Sequence, residues 1–135
     1  ATASGLAVLA YASADLLEAA HGAMRRFTDN TITTKAELNR SLHGVRTNGF
    51  AESNEGFELG VHGISAPIFD ASCHACGAIS VASVAARMTP HLGHIIRMQL
   101  ITAARDITQL WGGTVPGALD QIWHSYLNAS ERRSA

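Results

Sequence analysis

At Gly49 the hydrophobic period of this 135-residue chain changes, and that change constrains the fold more than any single residue does. Before it, Leu38, Leu42 and Val45 recur at helical spacing, and Asn48-Gly49 supplies a stop. After it, Phe50 to Ser53 is short and strand-like, Asn54-Glu55-Gly56 is a turn, and Val61 to Phe69 is rich in β-branched and apolar residues. Asp70-Ala71-Ser72 breaks that run, and Gly77 to Ser83 reads as its returning partner. Pro67 has no N–H to give to a ladder, which predicts an edge or irregular position. The helical period returns at Thr89-Pro90, an N-cap hydroxyl followed by proline at the first helical position.

The remaining helices have their own signals. Thr2-Ala3-Ser4-Gly5 precedes Leu6 to Ala10, and small hydroxyl residues before such a run are N-cap candidates. Ser13 and Asp15 open a second short helix bearing Leu16, Leu17, Ala20 and Met24. Thr34 and Glu37 have capping-box spacing. After Pro90, the positions Leu92, Ile95, Ile96, Gln99, Leu100, Ala103, Ala104, Ile107 and Leu110 mark one face over about five turns. Gly112-Gly113 ends that helix, and Pro116 to Leu127 carries Leu119, Ile122, Trp123 and Tyr126 on one side. Helices, then a small antiparallel sheet, then a long helix make an α+β layout. Three strands form a thin sheet with exposed edges, which predicts further strands upstream or a partner.

Hydrophobic residues make up 47% of the chain and charged residues 16%, enough apolar surface for one core and too little charge to leave every face bare. Some apolar surface is therefore expected to be covered by another copy. The net charge is -1 and Lys35 is the only lysine, so the chain lacks the basic stripe of a free-standing nucleic-acid binder. No apolar run reaches the length of a membrane span, and nothing reads as a secretion signal. The chain opens at Ala1 inside a helix-like pattern, read as the cut edge of a longer protein. Two cysteines make no disulfide framework, so a cytoplasmic location is the expectation.

A series of short motifs resembles one family. Ala1-Thr2-Ala3-Ser4-Gly5-Leu6-Ala7-Val8-Leu9-Ala10 is similar to the start of the first helix in IclR effector domains. Asn30-Thr31-Ile32-Thr33 resembles their segment before the third helix. Gly49-Phe50-Ala51, Glu55, Gly60-Val61 and Ile64-Ser65-Ala66-Pro67-Ile68-Phe69-Asp70 follow in the family's order, as do Ala78-Ile79-Ser80-Val81 and Ala86-Arg87-Met88-Thr89. Leu6 departs from the family's usual lysine, Gly63 stands where a cysteine or another small residue is common, and the tail after Gly113 has no counterpart. The resemblance implies a GAF-like or profilin-like effector domain over residues 1–113, truncated at its N-terminus and lacking its first strands, with 114–135 as a helical tail. It further implies a homodimer or homotetramer, and DNA binding only through a winged helix-turn-helix that would precede Ala1.

The start of the first helix is the best candidate site on physical grounds. Unpaired N–H groups and the positive helix end attract a small anion, and Gly5 lets a ligand approach the backbone. The resemblance implies an effector pocket between that helix and the sheet, built from Ala3, Ser4, Ser53, Gly63, Ser80 and Ala82. Ser53 falls where relatives can have an aspartate and Ala82 where they can have a serine, so a less polar ligand is expected. A small organic or aromatic acid is the implied effector, and no cofactor is expected. On the bland reading, Ser4 only caps its helix and Ser80 only bonds within the sheet.

Other residues invite other chemistry. Cys73-His74-Ala75-Cys76 is a lone C-x-x-C, with His91 and His94 as the nearest further ligands. An exposed hairpin turn is the preferred reading, with metal binding kept as an alternative. His62 is placed either at the pocket or on the solvated face, while His21, His43 and His124 read as surface residues at helix ends. Trp111, Trp123 and Tyr126 read as core, interface or ligand-stacking residues, with packing against another subunit the preferred reading. Two alternatives to a sensor are a small enzyme acting on organic acids and a pure oligomerisation module. An enzyme would need a nucleophile or acid–base pair aimed at the pocket, where glycine, alanine and serine stand instead.

Overall fold

The computed structural model describes residues 1–134, with side chains as far as residue 129. Four of the five α-helix starts are set by a hydroxyl. Thr2 caps α1 (Ala3–Leu9) by accepting from the Gly5 N–H, and Ser13 caps α2 (Ala14–Gly22) by accepting from Leu16. Thr34 and Glu37 form both halves of a capping box at the start of α3 (Lys35–Asn48), which stops at Gly49 in the left-handed region, φ 87°. Thr89 caps α4 (Pro90–Leu110) through Leu92, and α5 (Gly117–Ser134) follows. Met24, expected on α2, lies beyond its end.

Between α3 and α4 lie β1 (Ala51–Asn54), β2 (Val61–Phe69) and β3 (Ala75–Val84), antiparallel in the order β1-β2-β3. Pro67 was expected at an edge or irregular position, and although β2 is the middle strand its stretch at Pro67 has a neighbour on one side only. The ladder tolerates it because β1 ends opposite Ser65, so at Pro67 only β3, through Ala78, runs alongside.

Helices cover both faces of this sheet. Ile64 and Ala66 of β2 pack with Leu100, Ile101 and Ala104 of α4 and with Leu119 and Trp123 of α5. Gly63 and Ser65 alternate to the opposite face, toward α1. There α1, α3 and Ala51 form a second cluster around Leu6, Ala7, Leu38, Leu42 and Val45.

The buried stripe of α4 is rotated from the expected one. It runs through Gly93, Leu100, Ile101, Ala104 and Thr108, leaving Ile95 41% and Leu110 87% exposed. Ala104 packs with Ile64 and Ala66 of the sheet, and Thr108 is buried with its hydroxyl accepting the Phe69 N–H at 3.2 Å. Trp123 was expected at a subunit contact and is instead fully buried within its own chain. Among the described residues, no helix is long and apolar enough to cross a membrane.

Candidate functional site

Strand register brings three predicted positions into one row. Ser53 on β1 lies opposite Gly63 on β2, and Gly63 opposite Ala82 on β3. Over that row sits the first turn of α1, so close that a Cβ built on Gly63 would come within 3.3 Å of the Ala3 Cβ. Between turn and sheet is a cavity of about 220 Å³ lined by Ala3, Ser4, Ser53, Gly63, Ser80 and Ala82, with Phe57 and Glu58 among its other walls. Gly5 is not brought to it. It lines a neighbouring cavity of about 230 Å³ on the far side of α1, walled mainly by apolar residues such as Leu6, Met24 and Leu38.

The polar atoms of the site form a chain. The Ser4 and Ser80 Oγ atoms are 2.7 Å apart, Ser80 donates to Ser65 at 2.8 Å, and Ser65 donates to the Ile79 carbonyl at 3.0 Å. Ser4 thus does not cap its helix, since Thr2 does, and Ser80 reaches beyond the sheet to α1. Ser65 escaped sequence reasoning although its signal was available: it stands two residues from Gly63 and so shares its face. The Ser53 hydroxyl donates to the Ala1 carbonyl at 2.8 Å. No Lys, Arg or His lines the cavity, and Glu58 brings a carboxylate to it. The helix end adds little, because α1 has only seven residues and Thr2 already takes the Gly5 N–H.

One side of the cavity is a pair of stapled loops. Thr28 donates to the Glu55 carbonyl at 2.6 Å, and Thr31 donates to the Gly56 carbonyl at 2.7 Å while accepting from Phe27 and Thr28. These bonds tie the segment before α3 to the β1–β2 loop. Phe27 and Phe57, one from each loop, pack with ring centroids 4.8 Å apart, and Phe57 reaches the cavity wall.

The other candidates lie elsewhere. Cys73 and His74 lie in the β2–β3 turn and Cys76 already on β3, with Cys73 at φ 61° and the Asp70 carboxylate accepting the N–H groups of Ser72 and His74. Those bonds, the His74 N–H first, hold the Asp70 carboxyl below its ordinary pKa. Among the described residues no three His, Cys, Asp or Glu gather as metal ligands would. His94 is engaged with Tyr126, 3.0 Å from its hydroxyl. His62 points away from the cavity, on the face of β2 opposite to Gly63, where its Nε2 lies 3.6 Å from Glu52. His21 was expected at the surface, but its side chain is only 7% exposed, beside Glu18. Trp111 stands out into solvent, 73% exposed.

An antiparallel sheet layered between helices, with a small serine-lined cavity beneath the first of them, defines an α+β domain of the effector-binding type. Residues 1–109 match the family of bacterial transcriptional regulator IclR C-terminal domains, and the chain belongs to that family as its effector-binding domain. A curated relative, the HTH-type transcriptional regulator BhcR of Paracoccus denitrificans (strain Pd 1222), is 36% identical over 85 residues, 63% of this chain and 30% of that protein. The solved structure of an IclR transcriptional regulator from Silicibacter sp. TM1040 is 37% identical with a TM-score of 0.82, covering 87% of this chain and 46% of that one. A double mutant of the inducer-binding domain of the PobR transcription factor from Acinetobacter, solved as a 3-hydroxy benzoic acid complex, is 26% identical with a TM-score of 0.72, covering 82% of this chain and 65% of that one. The chain therefore spans less than half the length of the first two, which are transcription regulators rather than enzymes.

Proposed function

We propose that the cavity between α1 and the sheet is the effector site, and that it takes a small organic or aromatic acid. The observation that carries this reading is convergence: Ala3, Ser4, Ser53, Gly63, Ser80 and Ala82 come from α1 and all three strands, yet line one cavity. Its volume of about 220 Å³ is below that of a drug-sized pocket, which fits a ligand of few heavy atoms. The 3-hydroxy benzoic acid held by the PobR domain supports the ligand class. Residues 1–113 act as the effector-binding unit, and 114–135 as a helical tail docked on it through Leu119 and Trp123. In the cytoplasm, as part of a homodimeric or homotetrameric regulator, the domain alters operator binding by a winged helix-turn-helix. The ligand does this by binding one of two conformational states more tightly than the other.

Thermal-shift screening of organic and aromatic acids tests the site. At least one acid should raise the melting temperature of the chain, and Ser4→Glu should abolish that shift by placing a carboxylate against the ligand's own. A chain that no acid stabilises would serve assembly alone, and the effector reading would fall. Undiminished stabilisation of the Ser4→Glu variant would move the ligand to another place.

A further inference from the structure

The cavity on the far side of α1 has the opposite character to the serine-lined one. Its walls carry Leu6, Leu9, Met24, Phe27, Ile32 and Leu38, and among the described residues no side-chain hydroxyl, amide, imidazole or carboxylate lines it. Such walls give water no partners: an enclosed apolar cavity of about 150 Å³ stays dry and takes up benzene. At about 230 Å³ this one has room for an apolar body of roughly six to eight carbons. Unlike an enclosed cavity it also opens to solvent, and α2, which contributes Ala20 to the wall, fully buries none of its own residues. A helix held that lightly opens at low cost, which gives a ligand a way in. The one cationic side chain in the wall is Arg25, itself exposed. Its guanidinium lies 5.5 Å from the centre of the Phe27 ring and pairs with no carboxylate among the described residues. A planar guanidinium resting on a ring keeps its N–H fork for an incoming anion.

We infer that this cavity is a second binding site, for an amphiphilic monoanion of the fatty-acid type. The alkyl body lies between α1, α2 and α3, and the carboxylate meets Arg25 at the mouth. The site stands apart from the effector reading, because neither Arg25 nor any of those six apolar side chains lines the serine cavity. Burial of the alkyl chain supplies most of the affinity, and Arg25 selects the charged head. The Ala1 amine also borders the cavity, and burial lowers its pKa. At about pH 9 that amine is neutral and Arg25 is the charge that remains.

Methyl-detected NMR of the full 135-residue chain at about pH 9 tests this with butanoate, hexanoate and octanoate. The methyl signals of Leu9, Met24 and Leu38 should shift, while those of Val61 and Val81 at the serine cavity stay in place. Each added methylene should tighten binding about fourfold until the cavity is full. Arg25→Gln should weaken hexanoate about fivefold and leave uncharged hexanol unchanged. Ala20→Phe fills the cavity and should abolish the shifts from both. If that variant does not fold, the chain-length series and Arg25→Gln still decide the matter. Shifts confined to Val61 and Val81, equal affinity for butanoate and octanoate, or no shift with any of them would overturn the inference. So would an Arg25→Gln chain that holds hexanoate as tightly as the parent. Leu9 and Met24 signals that move with protein concentration, and with none of these ligands, would assign the cavity to a second copy of the chain, and the inference would fall.

Discussion

Trp123 donates its indole N–H to the Gly49 carbonyl at 2.6 Å, joining residues 74 apart in sequence. Gly49 ends α3 with φ 87°, and a Cβ there would come within 2.8 Å of the Trp123 ring. The stop of one helix and the anchor of the last are thus fitted to each other. Trp123→Phe leaves a buried carbonyl without its donor and should destabilise the chain by about 1–3 kcal/mol. Trp123→Ala removes the ring as well and should cost about 3–5 kcal/mol, a large part of the stability of a domain this size. Gly49→Ala adds left-handed strain to a clash and should also destabilise. Urea unfolding checks all three, since each should move the midpoint and leave the slope unchanged.

Thr31 should matter far more than a loop threonine usually does. It is 6% exposed and its hydroxyl serves three partners: the Gly56 carbonyl and the N–H groups of Phe27 and Thr28. Thr31→Val should destabilise by about 1–3 kcal/mol and speed amide exchange at Phe27 and Thr28. Thr31→Ser keeps the hydroxyl and should retain most of the protection. Equal exchange in the two variants would mean that the staple does not hold the loops.

These cases show what a sequence discloses and what it hides. Local signals were legible: the Thr34–Glu37 box, the Gly49 stop, Thr89-Pro90 and the period change all depend on neighbours in the chain. The row Ser53–Gly63–Ala82 was accessible only through the family resemblance, because register links distant residues. Trp123 and the α4 face were misjudged for a related reason. Periodicity says that a stripe exists, while partners from distant elements, such as the Phe69 N–H that meets Thr108, decide which side is buried. Ser65 was overlooked although its spacing from Gly63 put it on the same face, because a serine in an apolar run does not show which partner it meets.

Alkaline pH should find a weak point at Tyr11. Burial pushes its phenol up to about 12, with Arg46 pulling in the opposite direction. In the unfolded chain a tyrosine loses its proton near pH 10. From there to about pH 12 the folded state holds more protons than the unfolded one, so stability falls as pH rises. Tyr11→Phe should remove that loss. Urea midpoints at pH 9 and pH 11 measure it: they should separate in the parent chain and draw together in the variant.

Four of the ten Lys and Arg residues of this chain are committed to its own structure. Arg97 holds Glu52 at 2.6 Å, Lys35 holds Glu18 at 2.9 Å and Arg105 lies 3.4 Å from Asp120. Arg46 donates to the Ala10 carbonyl at 3.0 Å. With a net charge of -1, the chain has no excess of cations to displace counterions from a phosphate backbone. Residues 1–135 alone should therefore show no sequence-specific DNA binding, because the proposed reading helix belongs to a different domain. A gel shift of this chain beside a regulator that carries both domains checks the division. The longer protein should retard operator DNA, with an affinity that an effector changes. Tight, specific and salt-sensitive retardation by residues 1–135 themselves would return DNA reading to this domain and overturn the proposed division of labour.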